Sequence, residues 1–266
     1  MANPIDSTSG YKVVNGMKMY YEIHNTTAKG IPLVLIHGGG SDIHVTFGRI
    51  LPLLAQNRQV IGVDLQAHGR TADRGRPSSF EQDADDVAGL LEQLNIKSAD
   101  FFGFSNGGQT TMQIGIRHPA LAHRLVIGSA PYQREGMIDG FWDGMAHATL
   151  DNMPQPLKDA YLALHPGDKK GLETMFTRDA YRMQHFKDWK DDDLRSIKAP
   201  SLIIDGDQDV VRPEHAVKIH RMIPNSRLII LPGYHGEYLG ELLTHPHGGM
   251  TNITVTLVEN FLDQAH

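Results

Sequence analysis

Short apolar segments alternate along this chain with segments of helical periodicity, and this alternation limits the fold more than any other feature. The apolar runs at Pro32–Ile36 and Gln59–Asp64 are typical of strands that are buried on both faces of a parallel sheet. Phe80–Leu94 carries apolar or small residues three and four positions apart, which predicts an amphipathic helix. The alternation therefore predicts an α/β fold, with a mostly parallel central sheet flanked by helices on both faces.

The rest of the chain continues this alternation, with one interruption. Asn15-Gly16 separates two strand-like segments and predicts a hairpin, because both residues accept positive φ. No strand pattern occurs between 131 and 196, so we expect a helical insertion that divides the chain into 1–130, 131–196 and 197–266. The remaining predicted strands are Tyr11–Val14, Met17–His24, Asp100–Phe104, Arg124–Ile127, Ser201–Asp205 and Arg227–Leu231, and the remaining helices are Asn106–Arg117, His215–Met222 and Thr254–Asp263.

Composition excludes several classes of protein. The 266 residues include no cysteine, which excludes disulfides, thiolate catalysis and zinc sites with cysteine ligands. The net charge of −6 argues against a nucleic-acid-binding protein, which usually carries a basic stripe. No apolar stretch is long enough for a membrane span, and the N-terminus lacks the pattern of a secretory signal. We therefore expect a cytoplasmic protein.

Gly103-Phe104-Ser105-Asn106-Gly107 has the form G-x-S-x-G and stands between a predicted strand and a predicted helix. A sharp strand-to-helix turn exposes a serine hydroxyl, and glycines are needed where neighbouring backbone passes close by. The start of the helix also offers unpaired N–H groups to a developing anion. This context predicts Ser105 as a nucleophile, and an ordinary tight turn built from Gly and Ser is the alternative.

A serine nucleophile needs a general base, and the base needs an orienting carboxylate. Both residue types follow the ends of predicted strands, where sites form in open α/β sheets. Asp207 and Asp209 come just after the strand Ser201–Asp205, and His235 follows the strand Arg227–Leu231. We predict His235 as the base and Asp209 as the acid, with Asp207 as the alternative acid.

A glycine-rich turn, His37-Gly38-Gly39-Gly40, follows an earlier predicted strand. Glycines allow a backbone N–H to point into a pocket, and an ester carbonyl needs two such donors when it becomes an oxyanion. We predict that the backbone N–H groups of Gly39 and Asn106 supply them. A phosphate-binding loop is not favoured, because no G-x-x-x-x-G-K-[ST] pattern is present.

The chain contains 15 histidines, so histidine content alone is weak evidence for a metal site. His245-Pro246-His247 has the form of a metal-binding pair. No carboxylate or third histidine is evident as a further ligand, and we predict no metal.

These motifs together resemble the α/β-hydrolase superfamily, from Tyr11 to the last helix. In that family the acid lies in a G-x-x-D segment, which matches Gly206 to Asp209 and favours Asp209 over Asp207. The resemblance also supports Gly39 as an oxyanion donor. The segments that carry it are His37-Gly38-Gly39-Gly40, Asp64 with His68-Gly69-Arg70 (structural in the family), Gly103-Phe104-Ser105-Asn106-Gly107, Gly206-Asp207-Gln208-Asp209 and Gly233-Tyr234-His235.

The predicted helical insertion has the position of the family's cap, which covers the active site. Its apolar side chains are then candidates for a substrate pocket, and packing within the cap's own core is the alternative. The long Gly/His/Pro-rich stretch Leu239–Met250 is expected to shape the pocket entrance. The candidates are Met137, Phe141, Trp142, Met145, Met153 and Tyr161, and we assign Phe141, Trp142 and Met145 to the pocket.

The resemblance implies a serine hydrolase that cleaves small to medium carboxylic esters or lactones through an acyl-enzyme. The substrate is a small molecule, and the reaction requires no cofactor or metal. The alternatives are a carbon–carbon bond hydrolase or a perhydrolase that uses the same triad, or a ligand-sensing protein with slow turnover. An epoxide hydrolase or haloalkane dehalogenase would need Asp in place of Ser105.

Overall fold

A sheet of eight strands lies at the centre of the computed structural model, which describes residues 5–245 and 249–264. The strands are β1 (Ser7–Val14), β2 (Met17–His24), β3 (Leu33–Ile36), β4 (Val60–Val63), β5 (Ala99–Phe104), β6 (Ala122–Gly128), β7 (Ser201–Gly206) and β8 (Ser226–Leu231). Their order across the sheet is β1-β2-β4-β3-β5-β6-β7-β8. β2 is antiparallel to both β1 and β4, and the six strands β3 to β8 run parallel to one another. The predicted fold class is confirmed.

Helices cover both faces of this sheet. One face packs against α3, α4 and α9, and the other packs against α1, α2 and α10. The helices of the described ranges are α1 (Ile43–Phe47), α2 (Leu51–Leu54), α3 (Phe80–Gln93), α4 (Asn106–Arg117), α5 (Phe141–Ala146), α6 (Gln155–Leu164), α7 (Lys169–Gln184), α8 (Asp191–Arg195), α9 (Pro213–Met222) and α10 (Met250–Leu262).

Successive residues of the central strands bury their side chains on opposite faces of the sheet. In β3, Val34 and Ile36 belong to one apolar cluster, and Leu33 and Leu35 belong to the other. A strand that is covered on both faces needs apolar residues at every position, because its side chains alternate between the faces. This requirement explains the continuous apolar runs in the sequence.

The N-terminal hairpin forms around the predicted turn, in which Asn15 has φ +46° and Gly16 has φ +83°. Its first strand begins at Ser7, four residues before the predicted start at Tyr11. β1 is an edge strand, and its first residues are exposed polar ones that pair with β2. Backbone pairing does not require apolar side chains at these positions, so hydrophobic patterning does not reveal them.

α1 and α2 lie where the sequence pattern predicts no element. They contain five and four residues, too few to show a helical period. The Asp42 carboxylate caps α1 by accepting hydrogen bonds from the amides of His44 and Val45 at 2.7 and 2.9 Å. An aspartate N-cap of this kind is a local signal for a helix start.

Between β6 and β7 the chain forms helices α5 to α8 and no strand, as the sequence predicts for 131–196. An isolated antiparallel bridge joins Met137 to Val211. α6 and α7 pack together around buried apolar side chains, which also contact Val45 in the middle of α1. This segment therefore packs beside the glycine-rich turn that follows β3.

α4 approaches the end of β3 very closely at Gly107. A Cβ atom built on Gly107 would overlap the carbonyl oxygen of Ile36 and lie 2.6 Å from that of His37. Gly144 is also helical, in α5, but a Cβ atom there would have no neighbour within 4 Å. Gly144 is therefore a control for a substitution at Gly107, because both glycines are helical and only Gly107 is crowded.

We expect Gly107→Ala to lower the free energy of unfolding by about 1–3 kcal/mol, because the methyl group forces α4 away from β3. Gly144→Ala should raise it by up to about 1 kcal/mol, since alanine favours a helix over glycine. Urea unfolding followed by circular dichroism measures both values. Equal changes in the two variants would contradict the close approach at Gly107.

Candidate active site

Ser105 follows β5 directly and precedes the first residue of α4. Its backbone has φ +54° and ψ −120°, a conformation that residues with a side chain rarely adopt. The Ser105 N–H donates to the Gly128 carbonyl at 2.8 Å, and its own carbonyl accepts from the Gln109 amide at 3.1 Å. These bonds hold the turn in place, and Ser105 remains partly exposed.

The glycine-rich turn after β3 lies beside Ser105. The amide of Gly38 donates to Thr46 Oγ1 at 3.2 Å, and the amide of Gly40 donates to the Asp179 carboxylate. Within the described part of the chain, the amide of Gly39 donates no hydrogen bond, and neither does that of Asn106 at the start of α4. Both predicted oxyanion donors thus have free N–H groups.

His235 and Asp209 are joined by a hydrogen bond. His235 Nδ1 lies 2.6 Å from Asp209 Oδ1, so the nitrogen donates and the carboxylate accepts. Both residues follow the carboxyl ends of adjacent strands, β7 for Asp209 and β8 for His235. The His235 side chain is 31% exposed, whereas that of Asp209 is completely buried. The buried carboxylate therefore holds an imidazole that is itself partly exposed.

Asp209 receives further hydrogen bonds that stabilise its charge. Ser129 Oγ donates to Asp209 Oδ2 at 2.7 Å, and the Val211 amide donates to Oδ1 at 3.1 Å. Burial acts to raise the pKa of Asp209, but the charge of His235 and these hydrogen bonds outweigh it and lower the pKa. Tyr238 Oη lies 2.9 Å from Ser129 Oγ and extends this network.

The neighbouring aspartates have different environments. Asp207 is exposed, and its carboxylate accepts a hydrogen bond from the Gly233 amide at 2.8 Å rather than one from His235. Asp205 is buried at the end of β7, where burial and the adjacent charge of Asp209 raise its pKa. The geometry thus favours Asp209 over Asp207 as the partner of His235.

Two buried histidines, His37 of the glycine-rich turn and His68, have opposite protonation states. His37 Nδ1 faces the Gly38 carbonyl at 2.7 Å, and its Nε2 accepts from the Leu65 amide at 2.9 Å, which requires a neutral ring. Burial, reinforced by the charge of His68, lowers the pKa of His37 to about 3.

His68 differs, because both of its ring nitrogens face acceptors. Nδ1 lies 2.8 Å from the Gln66 carbonyl, and Nε2 lies 2.8 Å from the Asp179 carboxylate. Both nitrogens must therefore carry a proton. Burial acts to lower the pKa of His68, but the charge of Asp179 outweighs this effect and raises the pKa.

Asp64 is completely buried at the end of β4. Its carboxylate accepts from the amides of Ile43 at 3.2 Å and Arg70 at 2.8 Å, which ties the start of α1 to the loop after β4. Burial and the charge of Asp42 raise the pKa of Asp64 to about 6. These contacts are those of a structural residue, as the family resemblance implies.

A cavity of about 800 Å³ opens over Ser105 and His235, which both line it. Among the described residues Ser105 Oγ makes no hydrogen bond, so the hydroxyl is free to meet a ligand. Most of the other lining residues come from the turn after β3 and from the region 232–250. They include Gly38, Gly39, Thr46, Phe104, Leu157, Glu237, Glu241, Leu243, Thr244, His245 and Met250.

The side chains assigned to the pocket from sequence lie elsewhere. Phe141, Trp142 and Met145 pack against Phe80, Met183 and Phe186 and do not line the cavity. Trp142 Nε1 also donates to the Arg134 carbonyl at 2.7 Å, which fixes the ring on the surface of this cluster. The pocket assignment is corrected accordingly, because these side chains pack the helical segment together and against Phe80 of α3. Leu157 of α6 reaches the cavity instead.

Several residues near the site are not identified by the sequence patterns described above. Ser129 directly follows β6 and has φ +48°, so its position at a strand end could have been read like that of Ser105. Tyr238 and Asp179 reach the site only through tertiary packing. The stretch after His235 does line the cavity, as expected from its length and composition.

The described residues contain no group of three or more His, Asp or Glu side chains placed to hold a metal ion. Of the histidine pair near the C-terminus, His245 lines the cavity, whereas Pro246 and His247 lie outside the described residues. None of the helices that the structure describes has the length and apolar character needed to cross a membrane.

Known proteins that are similar to this chain include several hydrolases. The human (Homo sapiens) serine hydrolase BPHL is 27% identical over 256 residues, which cover 87% of this chain and 81% of that protein. A 2-hydroxy-6-oxo-2,4-heptadienoate hydrolase of Pseudomonas putida is 26% identical over 232 residues, covering 77% of this chain and 82% of that one. The solved structure of an enol-lactonase from Burkholderia xenovorans LB400 has a TM-score of 0.72 at 21% identity and covers 96% of this chain and 100% of that chain.

The family comparison covers the elements that build the site. The profile described as "Alpha/beta hydrolase family" matches residues 33–241, from the start of β3 to Glu241 beyond His235. Since this match includes most of the chain, the resemblance expected from the sequence is confirmed, and the chain belongs to the alpha/beta hydrolase family.

Proposed function

We propose that this hydrolase cleaves small to medium carboxylic esters or lactones, with Ser105 as nucleophile, His235 as general base and Asp209 as the orienting acid. The observation that carries the proposal is the 2.6 Å hydrogen bond between His235 and Asp209 beside the partly exposed Ser105 hydroxyl. The free amides of Gly39 and Asn106 support it, because they supply the donors that an oxyanion needs.

The chemistry follows from this arrangement. His235 Nε2 removes the proton of Ser105 Oγ as the oxygen attacks the ester carbonyl, and the negative charge of Asp209 stabilises the imidazolium. The tetrahedral oxyanion accepts hydrogen bonds from the amides of Gly39 and Asn106. It collapses to an acyl-enzyme as His235 protonates the leaving alcohol oxygen. A water molecule, deprotonated by His235, then releases the acid and restores Ser105.

We also propose that 131–196 is a cap on an α/β core formed by 1–130 and 197–266. The proposal is supported by the contacts that this segment makes beside the glycine-rich turn. Met153 and Leu157 lie next to Gly40, and Leu157 lines the cavity. The segment therefore forms one wall of the proposed active site.

The charge of the cavity bears on which substrate is cleaved. Glu237 and Glu241 line it, and its described lining contains no Lys or Arg. Carbon–carbon hydrolysis of a dienoate, the substrate named for the Pseudomonas putida relative, would bring a carboxylate into this pocket. Because no Lys or Arg of the described lining could pair with that carboxylate, we favour uncharged esters instead.

Replacing the nucleophile tests the reaction class. We expect Ser105→Ala to lower kcat on p-nitrophenyl butyrate by at least about 10³-fold, because no other group attacks the carbonyl. Ser7→Ala, an exposed serine on β1, is the matched control and should retain full activity. Full activity in Ser105→Ala would rule out the proposal. Stoichiometric acylation of the unaltered protein without repeated turnover would favour a ligand-sensing protein.

Replacing each of the two aspartates that follow β7 tests which of them orients His235. We expect Asp209→Asn to lower kcat by about 10³–10⁴-fold, because an amide donor facing His235 Nδ1 selects the wrong tautomer. Asp207→Asn keeps an oxygen acceptor for the Gly233 amide and should change kcat by less than about threefold. Steady-state kinetics on the same ester measures both variants, and a larger loss in Asp207→Asn would reverse the assignment.

A matched pair of esters tests the charge preference. We expect kcat/KM for p-nitrophenyl butyrate to exceed that for the p-nitrophenyl monoester of succinic acid by at least about tenfold, because the latter brings a carboxylate next to Glu237 and Glu241. Added salt should narrow the difference. Ser105→Ala supplies the blank for spontaneous hydrolysis. Equal or faster hydrolysis of the succinate ester would instead favour a substrate that carries a carboxylate.

A further inference from the structure

Asp179, on α7 of the helical segment, contacts the glycine-rich turn that follows β3. Its Oδ2 accepts hydrogen bonds from the Gly40 amide and from His68 Nε2, the latter at 2.8 Å. Its Oδ1 accepts a hydrogen bond from Arg182. A Cβ atom built on Gly39 would lie 3.1 Å from Asp179 Oδ2, so the carboxylate lies directly against this turn. Because the turn carries the proposed oxyanion donor Gly39, we call it the oxyanion loop.

In this loop, the backbone amides on either side of Gly39 donate hydrogen bonds, whereas the amide of Gly39 does not. The Gly38 amide is fixed by Thr46 Oγ1, and the Gly40 amide is fixed by Asp179, while the Gly39 amide between them stays free. Three consecutive glycines have no side chains that restrict their backbone, so the direction of the Gly39 N–H depends on these two neighbouring anchors. One anchor belongs to α1, and the other belongs to the segment 131–196.

A carboxylate beside an oxyanion would repel it if its charge were not compensated. Arg182 and the doubly protonated His68 both pair with Asp179, and Arg182 also pairs with the buried Asp83 of α3. The four groups together carry no net charge. Burial acts to raise the pKa of Asp179, but the charges of His68 and Arg182 outweigh it and lower the pKa. Asp179 can thus accept the Gly40 hydrogen bond without opposing the developing negative charge.

We propose that Asp179 is a positioning residue for the oxyanion hole, acting through its hydrogen bond from the Gly40 amide. This inference rests on the proposed function, because it assigns Gly39 as an oxyanion donor. It gives the helical segment a part in the chemical step, since the oxyanion loop is fully anchored only when α7 is docked against the core.

The experiment compares Asp179→Ala and Asp179→Asn with the corresponding variants of Asp73. Asp73 makes the neighbouring contact between α7 and the core, a two-point ion pair with Arg178 at 3.0 and 2.7 Å, and it does not touch the oxyanion loop. The readouts are kcat and KM for p-nitrophenyl butyrate and the inhibition constant of phenylboronic acid. A boronate adduct on Ser105 is tetrahedral and places an oxygen in the oxyanion hole.

We expect Asp179→Ala to lower kcat about 10- to 100-fold with KM within about threefold, and to weaken phenylboronic acid binding by a similar factor. Asp179→Asn retains an oxygen that can accept from Gly40, so it should recover part of the loss. The Asp73 variants should stay within about threefold of the unaltered protein in both readouts.

Three results would overturn the inference: kcat for Asp179→Ala within about threefold of the unaltered protein, an equal loss in the Asp73 variants, or a change in KM alone. If Asp179→Ala does not fold, the Asp179→Asn and Asp73→Asn pair decides by the same criteria. Failure of the proposed function has a different signature, namely the absence of Ser105-dependent hydrolysis in the unaltered protein.

Discussion

The unusual backbone conformation of Ser105 is the constraint on which the rest of the site depends. A serine with φ +54° is held there because α4 starts immediately after it and packs against the ends of β3 and β6. That packing requires glycine at 103 and 107, where any side chain would overlap backbone atoms. The same turn leaves the Asn106 amide free and presents the serine hydroxyl to the cavity. One local geometry thus supplies both a nucleophile and a donor.

The parallel sheet brings the other groups to this turn. Gly39, Ser105, Ser129, Asp209 and His235 follow β3, β5, β6, β7 and β8, which are neighbours in this order across the sheet. Because parallel strands end at one edge, residues far apart in the chain meet there. Applying this rule requires only the sequence around each strand end, which is why the sequence predicts the proposed triad and the glycine-rich turn.

The remaining features depend on tertiary packing and could not be predicted in the same way. The pocket assignment of Phe141, Trp142 and Met145 was based on apolar character, which does not distinguish a wall of the cavity from the core of the helical segment. Asp179 lies on a helix whose polar residues have no distinctive spacing, so its contact with Gly40 depends on how α7 docks. The protonation of a histidine likewise depends on its hydrogen-bond partners. The ring centroids of His37 and His68 are 5.1 Å apart, yet one ring is neutral and the other is charged.

The position of β8 has a consequence for the order in which the site is lost. Among the strands that the structure describes, β8 lies at the edge of the sheet and pairs with β7, and most of its residues are only half-buried. Ser105 instead follows β5, which is paired on both sides within the sheet. Strands at an edge fray at lower free-energy cost than central ones. Fraying of β8 would carry His235 away while the turn at Ser105 stays formed, so the proposed base is the member of the site most exposed to local unfolding.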